Sequence, residues 1–263
     1  MELLLIYAPC PRFSPPKEEG RRERAATSRS AMRIQNMLSP LLIDRKYRLA
    51  RIWSNRELKK FAHLFQGDIL NVSGWKDEDK EGRRYREYFA NAERYFISNY
   101  KKEIMGLQGM EGEFYLDLAA DLDRQYENRF DVAFNHTTLE HIYEVRKAFA
   151  NLCLLSKDTV ILVVPFMQQM HGDYGDYWRF TPLTIKKLFE ENGFTLLYLT
   201  FNHHWRASVY IFAIASKRPE AWRDRIQNTF SFESPNAFGD RFESYIGCRA
   251  ISNSLLFRIL ARF

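Results

Sequence analysis

The sequence predicts an α/β protein built on a mostly parallel sheet with helices on both faces, and three observations carry that expectation. Between residues 66 and 216, short β-rich runs alternate with runs of helical spacing, the pattern of a parallel sheet covered on both sides. The alternation closes on two β-rich runs, 194–201 and 208–216, joined by Asn202-His-His-Trp-Arg206. The 263 residues are 46% hydrophobic and 15% aromatic, enough to bury one sizeable core.

Along the chain, residues 1–31 have loop-like composition and no apolar period, so they are expected to be disordered. Leu3 to Ala8 is apolar but short and follows Glu2 rather than a basic residue, which argues against a secretory signal. Met32 opens a different texture and is an alternative start to Met1. Residues 32–65 read as a helical lead-in: Leu58, Phe61, Ala62 and Phe65 share a helical face, with Ser54 or Asn55 available as a cap.

The domain proper, 66–216, is predicted to contain strands at 68–73, 94–99, 113–116, 130–135 and 159–165. A helix is expected from about Thr138 to Leu155 and another over 181–192. The second has Thr181 to cap it, Pro182 to suit its first turn and Gly193 to end it. In the extension, 217–263, Ile251, Leu255, Leu256, Ile259, Leu260 and Phe263 share one helical face beside Arg249, Arg258 and Arg262. Packing on the domain or self-association through a partner subunit is the first expectation for that face, and contact with an anionic membrane surface the second.

Composition narrows the classes of function. No apolar run approaches the roughly 18 residues that span a bilayer. Three cysteines without a close pair suggest neither a disulfide framework nor a zinc knuckle and fit a reducing cytoplasm. The formal charge of +6, from 39 basic and 33 acidic residues, is spread along the chain without a single basic run.

Two strings dominate the chain: Phe130-Asp-Val-Ala-Phe-Asn-His-Thr-Thr-Leu-Glu-His-Ile142, and Gly175-Asp-Tyr-Trp-Arg-Phe-Thr-Pro182. Together they resemble the second half of a class I S-adenosylmethionine-dependent methyltransferase, in the type 11-like branch with a "LEH" helix start and a "DYWRFTP" loop. The resemblance implies a Rossmann-like fold, a mostly parallel seven-stranded sheet with a C-terminal antiparallel hairpin. It also implies S-adenosylmethionine as cofactor and methyl transfer to an oxygen or nitrogen acceptor. Members with this loop often accompany surface-glycan biosynthesis, so a small-molecule or glycan substrate is expected, possible saccharides included. The alternatives are an inactive methyltransferase-fold binding module and a nucleic-acid methyltransferase. Against the latter, no Asn-Pro-Pro-Tyr type motif follows the fourth strand to hold a flipped base.

The same resemblance assigns the site. The segment Asn71-Val-Ser73-Gly74-Trp75 stands where the family has an acidic residue and a run of glycines that lets the backbone approach the cofactor. Asn71, Ser73 and Gly74 inherit that contact; the alternative is a strand leading into the charged surface loop 76–80. Asn99 replaces the usual ribose-binding carboxylate, and it can still accept one hydroxyl bond and donate another. Asn99→Asp is therefore expected to leave cofactor affinity equal or improved. Asp117 matches the adenine-contacting position and Leu118 its neighbour beside the ring, with a capping or solvated loop carboxylate as the alternative for Asp117. Asn135 and His136 fall beside the cofactor's methionine portion, and His136 is the candidate general base. The plainer alternative for His136 is a hydrogen bond to the neighbouring loop. His141, the second catalytic candidate, is more often a loop-orienting residue in such folds. In the 166–180 loop, His171, Asp173, Asp176, Tyr177 and Arg179 are the substrate-binding candidates, with His171, Asp173 and Asp176 expected to be exposed. Trp178 and Phe180 are read as anchors of the loop. No metal site is expected: His136 and His141 are five residues apart, off the i,i+4 face, and His203 and His204 point to opposite faces of a strand.

Overall fold

The computed structural model describes residues 48–101, 106–171 and 175–227, with the single residues 230, 232, 246, 247 and 250. The predicted disordered N-terminal segment 1–31, Met32, the amphipathic tail face and Asp173 lie outside the described residues. Among the described residues three α-helices and seven strands make up the regular structure: α1 Arg48–Phe61, β1 Gly67–Val72, β2 Ala92–Asn99, β3 Glu113–Tyr115, β4 Phe130–His136, α2 Val145–Leu155, β5 Ser156–Met167, α3 Pro182–Glu191, β6 Thr195–Phe201 and β7 Val209–Ser216.

The sheet runs in the order β3-β2-β1-β4-β5-β7-β6. Strands β1 to β5 pair in parallel, whereas β7 enters antiparallel between β5 and β6. This is the Rossmann-like class I methyltransferase sheet, with its antiparallel C-terminal hairpin. The chain moves outward from β1 to β2 and β3, then returns to β4 on the other side of β1. The carboxyl ends of β1 and β4 therefore flank the switch point at which open α/β sheets bind ligands.

Both faces of the sheet are apolar because alternate strand residues point to opposite sides. On one face Leu70, Ala133, Leu162 and Ala213 pack under Phe149 and Leu152 of α2 and Ile185 and Phe189 of α3. On the other, Ile69, Phe134, Ile161 and Phe212 pack with Ala50 and Leu58 of α1. Where crossover helices are usual, the segments β1–β2 and β3–β4 carry only 3-10 turns, at Tyr85–Glu87 and Arg124–Tyr126. Tyr85 and Phe89 do the helix's work there: both rings pack on Phe134, at centroid distances of 5.1 and 5.8 Å. Among the described residues no helix is long and apolar enough to cross a membrane.

The starts of two predicted helices change. Ser54 and Asn55 do not cap α1 but lie buried inside it, where the Ser54 hydroxyl bonds back to Arg51 O and the Asn55 amide donates to Asp79 O and Glu81. The helix expected from Thr138 breaks into a 3-10 turn, Leu139–His141, and α2. The Glu140 carbonyl, which a continuous helix would use, instead accepts the N–H groups of Tyr177 (2.8 Å) and Trp178 (3.3 Å). Helix α3 starts as predicted: Thr181 Oγ1 accepts from Thr184 N, and Pro182 follows.

Candidate functional site

A cavity of about 560 Å³ opens at the carboxyl edge of the sheet. It is walled by the loop after β1, the ends of β2, β3 and β4, the 137–144 turn and the 166–180 loop. Asn71, Ser73, Gly74, Asn99, Asp117 and Leu118 line it, as do His136, His141, His171 and Tyr177. Asn135, Asp176 and Arg179 are not among its lining residues.

The loop after β1 takes left-handed turns at residues other than glycine. Ser73, Trp75, Asp77 and Lys80 all have positive φ, from 49° to 67°. Each such turn costs a non-glycine residue about 1–2 kcal/mol. Two buried carboxylates hold the loop in this conformation. Asp77 accepts from Asn71 Nδ2 (2.9 Å), Tyr95 OH (2.8 Å) and the Nε and backbone N–H of Arg86 (both 3.2 Å). Asp79 accepts from the N–H groups of Glu81 and Arg83 and from Tyr88 OH. In the segment 76–80, which sequence offered as a charged surface loop, Lys76, Glu78 and Lys80 are exposed while the two aspartates are buried. Gly74 is needed for space: a Cβ there would lie 2.5 Å from Asn71 Nδ2.

Asn99 is occupied as well. Its Oδ1 accepts from Trp75 N (2.7 Å), and its Nδ2 donates to Trp75 O (3.0 Å) and Glu113 Oε1 (2.6 Å). Burial pushes the Glu113 carboxyl upward, but hydrogen bonds from Asn99 and from the Gln108 and Met110 N–H groups outweigh it and hold the group below the usual range. Asp117 accepts from Ala119 N at 2.8 Å through one oxygen, beside the buried Leu118. Asn135 is fully buried and donates to Val72 O at 3.0 Å, so it welds β4 to β1 beneath the cavity floor.

His136 sits in a closed network. Ser54 Oγ donates its single proton to Arg51 O, so at 2.9 Å it accepts from His136 Nε2–H. The other nitrogen, Nδ1, then receives the Thr137 hydroxyl at 3.1 Å, and Thr137 Oγ1 accepts from Arg51 Nη2 at 3.1 Å. Burial first, then the Arg51 charge, holds the imidazole well below its ordinary value, so it is neutral at pH 7. Nothing in the sequence marked Arg51, because α1 precedes the sheet and reaches the site only through the tertiary fold.

The 166–180 loop is buckled to itself. Arg179 grips Asp176 with two bonds, Nη1 to Oδ1 (2.5 Å) and Nη2 to Oδ2 (2.7 Å), and also donates to the carbonyls of Gln168 and Gln169. The Asp176 carboxylate is 2% exposed, which corrects the expectation that it faces substrate. Burial disfavours its charge, but Arg179 and the His171 N–H overcome that and hold it at about 2. Trp178 Nε1 donates to Ile142 O and Tyr143 O, and Phe180 is buried, so both anchor the loop as expected. Tyr177 (54% exposed) and Tyr143 (65%) stand edge to face at 5.5 Å beside Trp178.

Beneath this loop, Glu140, His141 and His171 each bring a potential ligand atom within 4.8 Å of the others. Glu140 is buried and neither carboxylate oxygen has a hydrogen-bond partner. Burial raises its carboxyl to about 8. In the sequence it read only as an acidic residue at a helix start, since its burial depends on the 175–180 backbone folding over it.

No protein-family model matches the chain, and no curated protein does. Solved structures resemble it at low identity. A Burkholderia thailandensis 1,6-didemethyltoxoflavin-N1-methyltransferase, with its substrate and S-adenosylhomocysteine bound, is 16% identical over 80% of this chain and 93% of its own, with a TM-score of 0.45. The magnesium protoporphyrin IX methyltransferase of Synechocystis, with bound S-adenosylmethionine, is 13% identical over 65% of this chain and 79% of its own, TM-score 0.44. An S-adenosylmethionine-dependent methyltransferase from Clostridium acetobutylicum is 11% identical over 72% of this chain and 98% of its own, TM-score 0.45.

Proposed function

We propose that this chain is an S-adenosylmethionine-dependent methyltransferase acting on an oxygen or nitrogen of a small-molecule or saccharide acceptor held under the 166–180 loop. The observation that carries this reading is the cavity of about 560 Å³ at the switch point of a sheet with methyltransferase strand order. Asp117 and Leu118 would hold the adenine end, and the backbone of Ser73 and Gly74 would take the rest of the cofactor. Asn99 keeps one unused lone pair on Oδ1 for a ribose hydroxyl. When bound, S-adenosylmethionine supplies a methyl group activated by its sulfonium. The protein's part is to align the acceptor and receive its proton. Tyr143 and Tyr177 offer exposed ring faces on which a sugar or planar acceptor stacks. His136 and His141 line the same cavity as candidate bases, and an acceptor hydroxyl reaches His136 Nδ1 by displacing the Thr137 hydroxyl.

A binding module is the second reading, favoured by the carboxylate-built loop and by the occupied nitrogens of His136. Calorimetric titration with S-adenosylhomocysteine separates the two. Micromolar binding is expected, and Asp117→Ala should weaken it about 5–30-fold, the worth of one hydrogen bond at ~1–2 kcal/mol. Folded protein that gives no heat with millimolar ligand overturns the methyltransferase reading.

A further inference from the structure

We propose that Glu140, His141 and His171 form a binding site for one divalent transition-metal ion, of the zinc, manganese, iron or cobalt class, in the wall of the cavity beneath the 166–180 loop. The three side chains place an oxygen and two imidazole nitrogens within 4.8 Å of one another. Two imidazoles and one carboxylate are a recurrent donor set for these ions, and they leave further coordination positions open.

The independent sign of a ligand is Glu140. Its side chain is 1% exposed, it lines the cavity, and both carboxylate oxygens lack any hydrogen-bond partner. Buried carboxylates are nearly always paired or hydrogen-bonded, because an unanswered one costs several kcal/mol. Gln168 Oε1 is a further unsatisfied buried acceptor in the same cavity. The Gln168 amide nitrogen faces His171 instead, 3.2 and 3.4 Å from its ring nitrogens, and would have to turn its oxygen inward on loading, so a cation is the partner that answers the Glu140 oxygens. The cationic side chains nearest Glu140 are committed elsewhere, Arg179 to Asp176 and Arg51 to Thr137.

The histidines are oriented as metal ligands are. His141 Nδ1–H donates to Gly175 O at 2.5 Å, which puts the ring's lone pair on Nε2, the atom 3.9 Å from Glu140 Oε1. His171 Nδ1 lies 3.3 Å from Asp176 Oδ2, and Asp176 is itself fixed by Arg179. A carboxylate or carbonyl behind each imidazole is the usual outer support of a metal-bound histidine. With bonds of about 2.0–2.2 Å, tetrahedral ligand atoms lie ~3.3 Å apart, so loading draws the three side chains together by roughly an ångström.

The inference differs from the sequence expectation of no metal because His171 comes from a loop thirty residues beyond His141. On the methyl-transfer reading, a bound ion would supply Lewis acidity toward an acceptor hydroxyl, and His136 would be the remaining candidate base. The site itself does not depend on that reading.

The test is calorimetric titration of the chelator-treated full chain with zinc chloride, paired with visible absorption on adding cobalt chloride. One equivalent of zinc and cobalt d–d bands of a nitrogen- and oxygen-ligated ion are expected. Glu140→Gln and His171→Ala should each weaken zinc binding at least tenfold and abolish the cobalt bands, while His203→Ala changes neither. Glu140→Asp, which keeps the charge, should retain cobalt bands and covers the case in which Glu140→Gln misfolds. Absence of a stoichiometric site in the folded wild type, or wild-type affinity in folded Glu140→Gln and His171→Ala, overturns the proposal. S-adenosylhomocysteine titrated into the same samples reports on the methyltransferase reading separately.

Discussion

Asn99 illustrates how one residue can be legible in type and misread in role. Its place at the end of β2 follows from the sequence, and the resemblance implies that a carboxylate there would improve matters. The structure adds a cost in stability, because Glu113 already supplies a carboxylate 2.6 Å from Asn99 Nδ2. Asn99→Asp sets two anions in contact and removes both donor bonds of the amide. A loss on the order of 2 kcal/mol in urea unfolding at pH 7 is expected. Adding Glu113→Gln should recover most of it. The positions of Asn71, Asp117 and His136 were readable because they sit at strand ends, whose location follows from apolar runs. The partners of Asn71, Asn99 and His136 were not, since Asp77, Glu113 and Arg51 come from a loop, a neighbouring strand and a helix that meet them only in the tertiary fold.

Among elements, the strands were legible and the connections were not. Alternating Phe130, Val132 and Phe134 fix β4 to within a residue, but nothing local says that Glu140 O will be taken by Tyr177 and Trp178 and so break the following helix. The loop after β1 gives the sharpest contrast, since its left-handed turns are enforced by Asp77 and Asp79 rather than permitted by glycine. Ser73 is the clean place to test that strain: its φ is 58° and it adjoins Gly74. Ser73→Gly should raise the melting temperature by about 1–4 °C, the strain relieved less the entropy that glycine loses. Ser73→Val, whose branched Cβ tolerates this conformation least, should lower it.

Over the whole molecule, the edge of the sheet opposite the cavity is held by two carboxylates. Asp68, at the start of β1, takes Arg94 from β2 and Arg129 from just before β4. Asp158, near the start of β5, accepts from Ser216 Oγ of β7 (2.6 Å) and Trp222 Nε1 (3.0 Å). Burial opposes both charges, but arginine and hydrogen-bond donors prevail and both carboxyls fall below the ordinary value. A carboxyl depressed in the folded state binds its proton more readily when unfolded. Its contribution is therefore complete above the unfolded value near 3.9 and is lost as pH falls through the folded one. The share of the urea midpoint owed to these two carboxyls should be constant from pH 7 to about 5 and decline below ~4. Asp68→Asn and Asp158→Asn should lower the neutral plateau and flatten the acid slope; a slope unchanged in both would show that other groups govern acid unfolding.

Of the five tryptophans, Trp75 lines the cavity, with Lys80 Nζ 4.2 Å and Lys76 Nζ 5.0 Å from its ring centroid. Indole emission follows the charge and polarity around the ring, so a molecule entering over Trp75 and shifting these ammonium groups announces itself optically. The left-handed turn at Trp75 thus gives the protein a native fluorophore in the wall of the cavity. Unlabelled chain is enough to screen candidate ligands of the cavity by light alone.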